Sequence, residues 1–170
     1  MKKLLLLLAV MCALSFRSVA QSRGGLSIGA EGALPVADYS DIYNPGYGAS
    51  LQYDIPVAYR LNVTISATYL YYGFTNRYRR ELQSFGVFQS SAAFVPVKMG
   101  IKSYLNDNFF SEAQIGATLS TEADEGTAFA YSPGFGYTFN GGLELGVRYE
   151  GWTKNNNTFE MFAARLSFRF

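Results

Sequence analysis

From Tyr59 to Tyr71 the chain reads YRLNVTISATYLY, and side-chain character changes at almost every step. Tyr59, Leu61, Val63, Ile65, Ala67, Tyr69 and Tyr71 hold one parity; Arg60, Asn62, Thr64, Ser66, Thr68 and Leu70 hold the other. Period two marks a strand with unlike faces, because successive Cβ atoms point to opposite sides of a pleated backbone. The same alternation recurs in residues 26–34, 46–55, 94–105, 109–119, 129–139, 143–152 and 159–170. With the first segment this makes eight candidate strands.

The connections between them alternate in length. Short reversals fall around Pro56, Asn106-Asp107-Asn108 and Asn140-Gly141-Gly142, residue types that favour tight turns. The others are mostly longer and polar: residues 35–45, 72–90, 120–128 and a shorter 153–157. This pattern predicts an all-β fold, an eight-stranded antiparallel up-and-down transmembrane barrel with both chain ends at the short-turn end.

One parity carries Leu26, Ile28, Leu51, Ile65, Met99, Ile101, Ile115, Phe135, Leu145, Phe162, Leu166 and Phe168. The other carries Glu31, Asp54, Arg60, Lys98, Lys102, Glu112, Glu144, Arg148, Glu150 and Arg165 among Gly, Ser and Thr. Lys or Arg facing hydrocarbon at the bilayer midplane costs about 2–4 kcal/mol, so the charged parity is expected inside. A soluble barrel inverts the two faces.

The first twenty residues, MKKLLLLLAVMCALSFRSVA, join two lysines, a short apolar run and the small-residue site Ser18-Val19-Ala20. They read as a cleaved secretory signal, residues 1–20, ahead of a barrel domain at residues 21–170. Cys12, the one cysteine, lies in that signal, so the mature chain is expected to lack thiol chemistry. Met11 stands where a lipidation signal needs a small residue, which sets a lipoprotein aside. Removing Lys2, Lys3 and Arg17 takes the basic residues from 14 to 11 against 13 acidic, a formal charge of −2 that gives no reason to expect nucleic acid.

Turn positions predict cross-strand pairs on the inner face. Reversal about Val57 sets Tyr53 against Leu61 and Asp54 against Arg60; reversal about Asp107 sets Lys102 against Glu112. A centre near Asn156-Asn157 sets Arg148 beside Arg165, a repulsion that Glu144, Glu150 and Glu31 must bridge. Pro96 lacks a donor in a barrel without edges, which predicts a bulge there. Small inward residues such as Gly48, Gly100, Gly116, Gly134 and Gly136 leave room for water.

The signal, the eight alternating segments and the final LSFRF resemble the small outer-membrane barrels typified by OmpX and the membrane domain of OmpA. FVPVKMGIKSYL is similar to the proline-containing strand of the outer-membrane β-barrel-domain proteins of Bacteroidetes. The resemblance implies outer-membrane lipid and lipopolysaccharide as surroundings. It also implies Phe162, Leu166, Phe168 and Phe170 as the pattern read by the barrel-assembly machinery. No peptidoglycan-binding domain follows, so cell-wall anchoring is not expected.

The chain has no histidine, which removes His-dependent hydrolytic arrangements. No cofactor or metal is expected, although Glu122, Asp124 and Glu125 form an acidic loop with oxygens suited to loose calcium binding or to plain solvation. Arg77, Arg79 and Arg80 make one basic cluster, read either as a phosphate contact with lipopolysaccharide or as a solvated, salt-linked face. Tyr47, Tyr69, Tyr71, Tyr72, Tyr131 and Trp152 fall near strand ends, as an interfacial girdle requires. The expectation is a monomeric, non-enzymatic scaffold that displays surface loops; a narrow pore and a lipid-modifying enzyme are the alternatives.

Overall fold

A computed structural model describes residues 24–121 and 126–170. The expected signal and the acidic trio Glu122, Asp124 and Glu125 lie outside the described residues. Eight strands form one closed barrel, each paired antiparallel with its sequence neighbour, and β1 closes on β8. They are β1 (Gly25–Pro35), β2 (Gly46–Ala58), β3 (Leu61–Gly73), β4 (Ser91–Tyr104), β5 (Phe109–Ser120), β6 (Thr127–Thr138), β7 (Leu143–Lys154) and β8 (Asn157–Arg169). One helix, α1 (Asn76–Ser84), occupies the long β3–β4 connection, and a short 3-10 turn spans Ala37–Ser40.

Both described chain ends lie at the short-turn end, since Ser27 pairs with Arg169 across the β1–β8 seam. Neighbouring turns there are stitched together: Tyr104 N–H donates to the Arg60 carbonyl, Thr138 N–H to Asn108 and Arg169 N–H to Gly142, each at 2.8 Å. The expected faces hold. Met99 and Phe162 are each 58% exposed, whereas Lys102 is 1% and Glu150 0% exposed. Apolar side chains outside and charges inside are the reverse of a soluble barrel.

Two turns differ from expectation. β2 and β3 reverse at Tyr59-Arg60, with Ala58 opposite Leu61 and Arg60 in the left-handed region at φ 58°. Pro56 is not in the turn; it pairs with Asn62 next to a bulge that skips Val57, a position where a missing donor is tolerated. Tyr53 therefore faces Ile65, and Asp54 faces Thr64 rather than Arg60. β7 and β8 reverse at Asn155-Asn156, both with positive φ (49° and 64°), as a two-residue primed turn requires. Arg148 consequently faces Ala163 and Arg165 faces Gly146, so the two arginines are not opposed.

The bulge expected at Pro96 is absent. Pro96 stays in register with Thr118; toward β3 the pairing stops at Ala67 with Val97 and resumes at Leu70 with Phe94 in the same register. The missing donor interrupts local bonds without adding a residue. Nor do the inward glycines leave space: a Cβ on Gly116 would lie 2.1 Å from the Val97 carbonyl oxygen, and one on Gly136 would lie 2.3 Å from Phe110 Cζ. They permit close approach of backbone and ring in a narrow, coiled sheet.

Candidate functional site

The inward parity of the strands stacks side chains in layers along the lumen. At the short-turn end Lys102 Nζ lies 2.9 Å from Asp54 Oδ2 and 3.0 Å from Glu144 Oε2. Arg169 also pairs with Glu144, which accepts a further bond from Thr138 Oγ1 at 2.8 Å. Lys102 sits 4.2 Å above the Phe110 ring, and Tyr104 packs edge-on against that ring, closing this end.

A second charged layer lies nearer the loops. Glu150 Oε2 takes Lys98 Nζ and Arg148 Nε, each at 2.6 Å, while Oε1 takes Trp152 Nε1 at 2.8 Å. Arg148 reaches across to Glu31 Oε2 at 2.5 Å. Arg165 stands 3.8 Å from Glu31 and donates to Ser50 Oγ at 2.8 Å and Ser27 Oγ at 2.9 Å. Between the layers Glu112 accepts from Gln52 at 2.8 Å and from Gln114 at 3.4 Å.

Among the described residues the lumen thus holds Lys98, Lys102, Arg148, Arg165 and Arg169 against Glu31, Asp54, Glu112, Glu144 and Glu150, an equal number of each sign. Charges held this deeply are tolerable only when paired and hydrogen-bonded. The cavity left among them is about 30 Å³, room for about two water molecules.

An aromatic layer covers the charges. Trp152 contacts Phe94 and Phe159 with centroids 5.1 Å apart, and Tyr72 adds an edge-on contact to Phe159 at 5.6 Å. The Tyr72 hydroxyl reaches Met161 Sδ at 3.0 Å. Above this floor opens a bowl of about 330 Å³, walled by Tyr39, Tyr43, Ala128, Asn155 of the β7–β8 turn and Asn157 at the start of β8. Thr118 lines it too, 3% exposed, with its hydroxyl unpartnered.

Of the expected lumen charges, Asp54, Lys102, Glu112, Glu144, Arg148, Glu150 and Arg165 all point inward, and Arg60 does not. Arg60 caps its turn and pairs with Asp107 of the neighbouring turn at 3.1 Å. The register of Lys102 opposite Glu112 is as expected, but Lys102 turns to Asp54 and Glu144 instead. Tyr72 and Trp152, expected in the girdle, are buried lumen residues; Tyr47 and Tyr69 face outward. Their parity carried the signal, since Trp152 shares it with Arg148 and Glu150, and Tyr72 with Thr64 and Thr68. Phe162, Leu166, Phe168 and Phe170 all face outward. Arg77, Arg79 and Arg80 lie together on α1, where Arg77 comes within 4.0 Å of Asp41 of the first loop.

No curated protein is similar enough in sequence to add to this. Solved barrels share the fold. Ail of Yersinia pestis, in a phospholipid bilayer nanodisc, is 17% identical, with a TM-score of 0.59 over 87% of this chain and 100% of that one. The N-terminal barrel domain of Pseudomonas aeruginosa OprF is 15% identical, with a TM-score of 0.61 over 87% and 100%. The outer-membrane enzyme PagL is 16% identical, with a TM-score of 0.60 over 84% and 99%. The family model described as outer membrane protein beta-barrel domain matches residues 4–170. Its match over nearly the whole chain, with a closed barrel that is apolar outside and charged inside, makes this chain a member of that family and an integral outer-membrane protein.

Proposed function

We propose that the chain is a non-conducting, non-enzymatic scaffold that presents its loop end at the cell surface, with the short turns and both chain ends in the periplasm. The observation that carries this reading is the filled lumen: two charged layers and an aromatic layer leave a cavity of about 30 Å³. An eight-stranded barrel has an interior that side chains just fill. A hydrated ion needs a continuous path, and the cross-lumen ion pairs cut it. Refolded protein in planar bilayers is expected to be electrically silent; resolved openings of the unmodified protein would establish the pore instead.

The enzyme reading finds less support. A histidine-free chain has no imidazole base, so acid–base chemistry would fall to carboxylates and lysines, and those of the lumen are engaged in ion pairs and hydrogen bonds. PagL shares only the fold at this identity. Incubation with labelled phospholipid and lipopolysaccharide is expected to return both unchanged.

Orientation is tested by labelling Ser84→Cys on α1 in intact cells with a membrane-impermeant maleimide, since the mature chain carries no other cysteine. Labelling without permeabilisation is expected. For biogenesis, Phe162, Leu166, Phe168 and Phe170 form the outward row that the assembly machinery would read. Deleting Phe170 is expected to lower insertion while leaving export intact, measured as the folded fraction in outer-membrane extracts.

A further inference from the structure

We propose that the β3–β4 connection is a lipid-surface element: the arginines of α1 bind phosphate groups of the lipid leaflet around the barrel, and Phe85 and Phe88 enter the apolar layer beneath them.

The first observation is a local conflict. Arg77, Arg79 and Arg80 crowd the N-terminal half of α1, whose first turn has no acidic residue. Cations there oppose the helix dipole, whereas an anion there would be favoured by both the dipole and the guanidinium groups. Tyr78 docks the helix by packing against Phe74 at 5.2 Å, which leaves the arginines exposed. Asp41 lies 4.0 Å from Arg77 with both side chains more than three-quarters exposed, a contact of little strength, and Glu81 on the same helix offsets one of the three positive charges. With three arginines against the single Glu81, the helix therefore sets out net positive charge.

The second observation is apolar. Phe85 is 78% exposed and Phe88 83%. Neither is a frayed end: Gly86 takes φ 77°, its N–H donates to the Gln83 carbonyl, and the Val87 N–H donates to the Leu82 carbonyl, each at 3.0 Å. That pair of bonds is a Schellman cap, which fixes the chain on leaving the helix. An ordered element that holds two phenylalanines in the open marks a contact surface.

Reach decides the partner. Phe88 stands three residues before Ser91, where β4 begins opposite Gly73, two residues beyond the outward-facing Tyr71. Three residues span about 10 Å at most, so Phe88 stays within roughly one headgroup layer of the barrel rim. Basic residues followed by aromatics at that height match phosphates over an acyl boundary. Which leaflet this is in the cell rests on the orientation proposed above; the contact itself does not.

The test uses the mature chain with a polarity-sensitive dye on Ser84→Cys, refolded into phosphatidylcholine vesicles with or without phosphatidylglycerol, so its result is independent of orientation in cells. Blue-shifted emission, quenched by brominated acyl chains and severalfold more so in the anionic vesicles, is expected. Phe85→Ser with Phe88→Ser should abolish the quenching. Arg77→Gln with Arg79→Gln and Arg80→Gln should reduce the anionic response to the neutral level, with strand content by circular dichroism unchanged in both. Water-like emission in all vesicles overturns the proposal. So does quenching that ignores both lipid charge and the arginines, or quenching seen only when brominated vesicles are added to protein held in unbrominated ones, which would indicate a second membrane.

Discussion

Glu150 shows how much one carboxylate can organise. It pairs with Lys98 and Arg148 and holds the Trp152 indole, which joins the upper charged layer to the aromatic floor. Glu150→Ala leaves Lys98 buried without its carboxylate and Arg148 with Glu31 alone, and the expected loss is about 3–5 kcal/mol, read as a lower urea midpoint of the refolded protein. Adding Lys98→Met to that variant should recover part of the loss, because a buried pair replaced by apolar groups of similar volume is close to neutral. The inward position of both residues is readable from parity alone. Their partners are not, since Lys98 and Glu150 come from β4 and β7, which share no ladder. A lysine has the length to pass over its cross-strand neighbour, and Lys102 does so, leaving Glu112 for Asp54 and Glu144.

Turns and glycines act at the scale of the element. Asn155 and Asn156 both occupy the left-handed region, and this one-residue choice of turn moves every β7–β8 pair relative to a turn centred one residue later. A search for asparagine and glycine finds the loop, but which residues take positive φ is settled by strand twist. Gly116→Ala brings a Cβ to 2.1 Å from the Val97 carbonyl oxygen, where backbone must give. A reduced folded fraction by heat-modified gel mobility is the expected outcome. At Gly86 the surroundings are open and only φ 77° opposes a side chain, so Gly86→Ala should cost about 1–2 kcal/mol locally. Faster proteolysis within the β3–β4 connection, with barrel stability unchanged, would report it.

Across the whole molecule the lumen is closed by unlike materials in series. Trp152→Ala with Phe94→Ala opens the aromatic floor and enlarges the bowl, but the ion pairs beneath remain, so planar-bilayer recordings of this variant should stay silent. Conduction should require loss of a charged layer as well. An equal number of lumen charges of each sign lets the interior be polar without a net field to draw ions. The architecture joins an inert wall to a varied loop end, where the bowl and α1 lie.

Strand number, the lipid and lumen faces, and antiparallel order are properties of the sequence by itself, because period-two alternation and connection length are local quantities. The identity of the lumen charges was also legible, Arg60 excepted, since parity carries it. The inward parity of Tyr72 and Trp152 was in the sequence too; the tertiary structure alone decided which charges pair and which rings those aromatics meet. It also decided that the neighbouring backbone and rings close in on the glycines, so that these leave no room for water. These depend on distances across a closed barrel between residues that are neighbours neither in sequence nor in any ladder, and barrel closure is what brings them together.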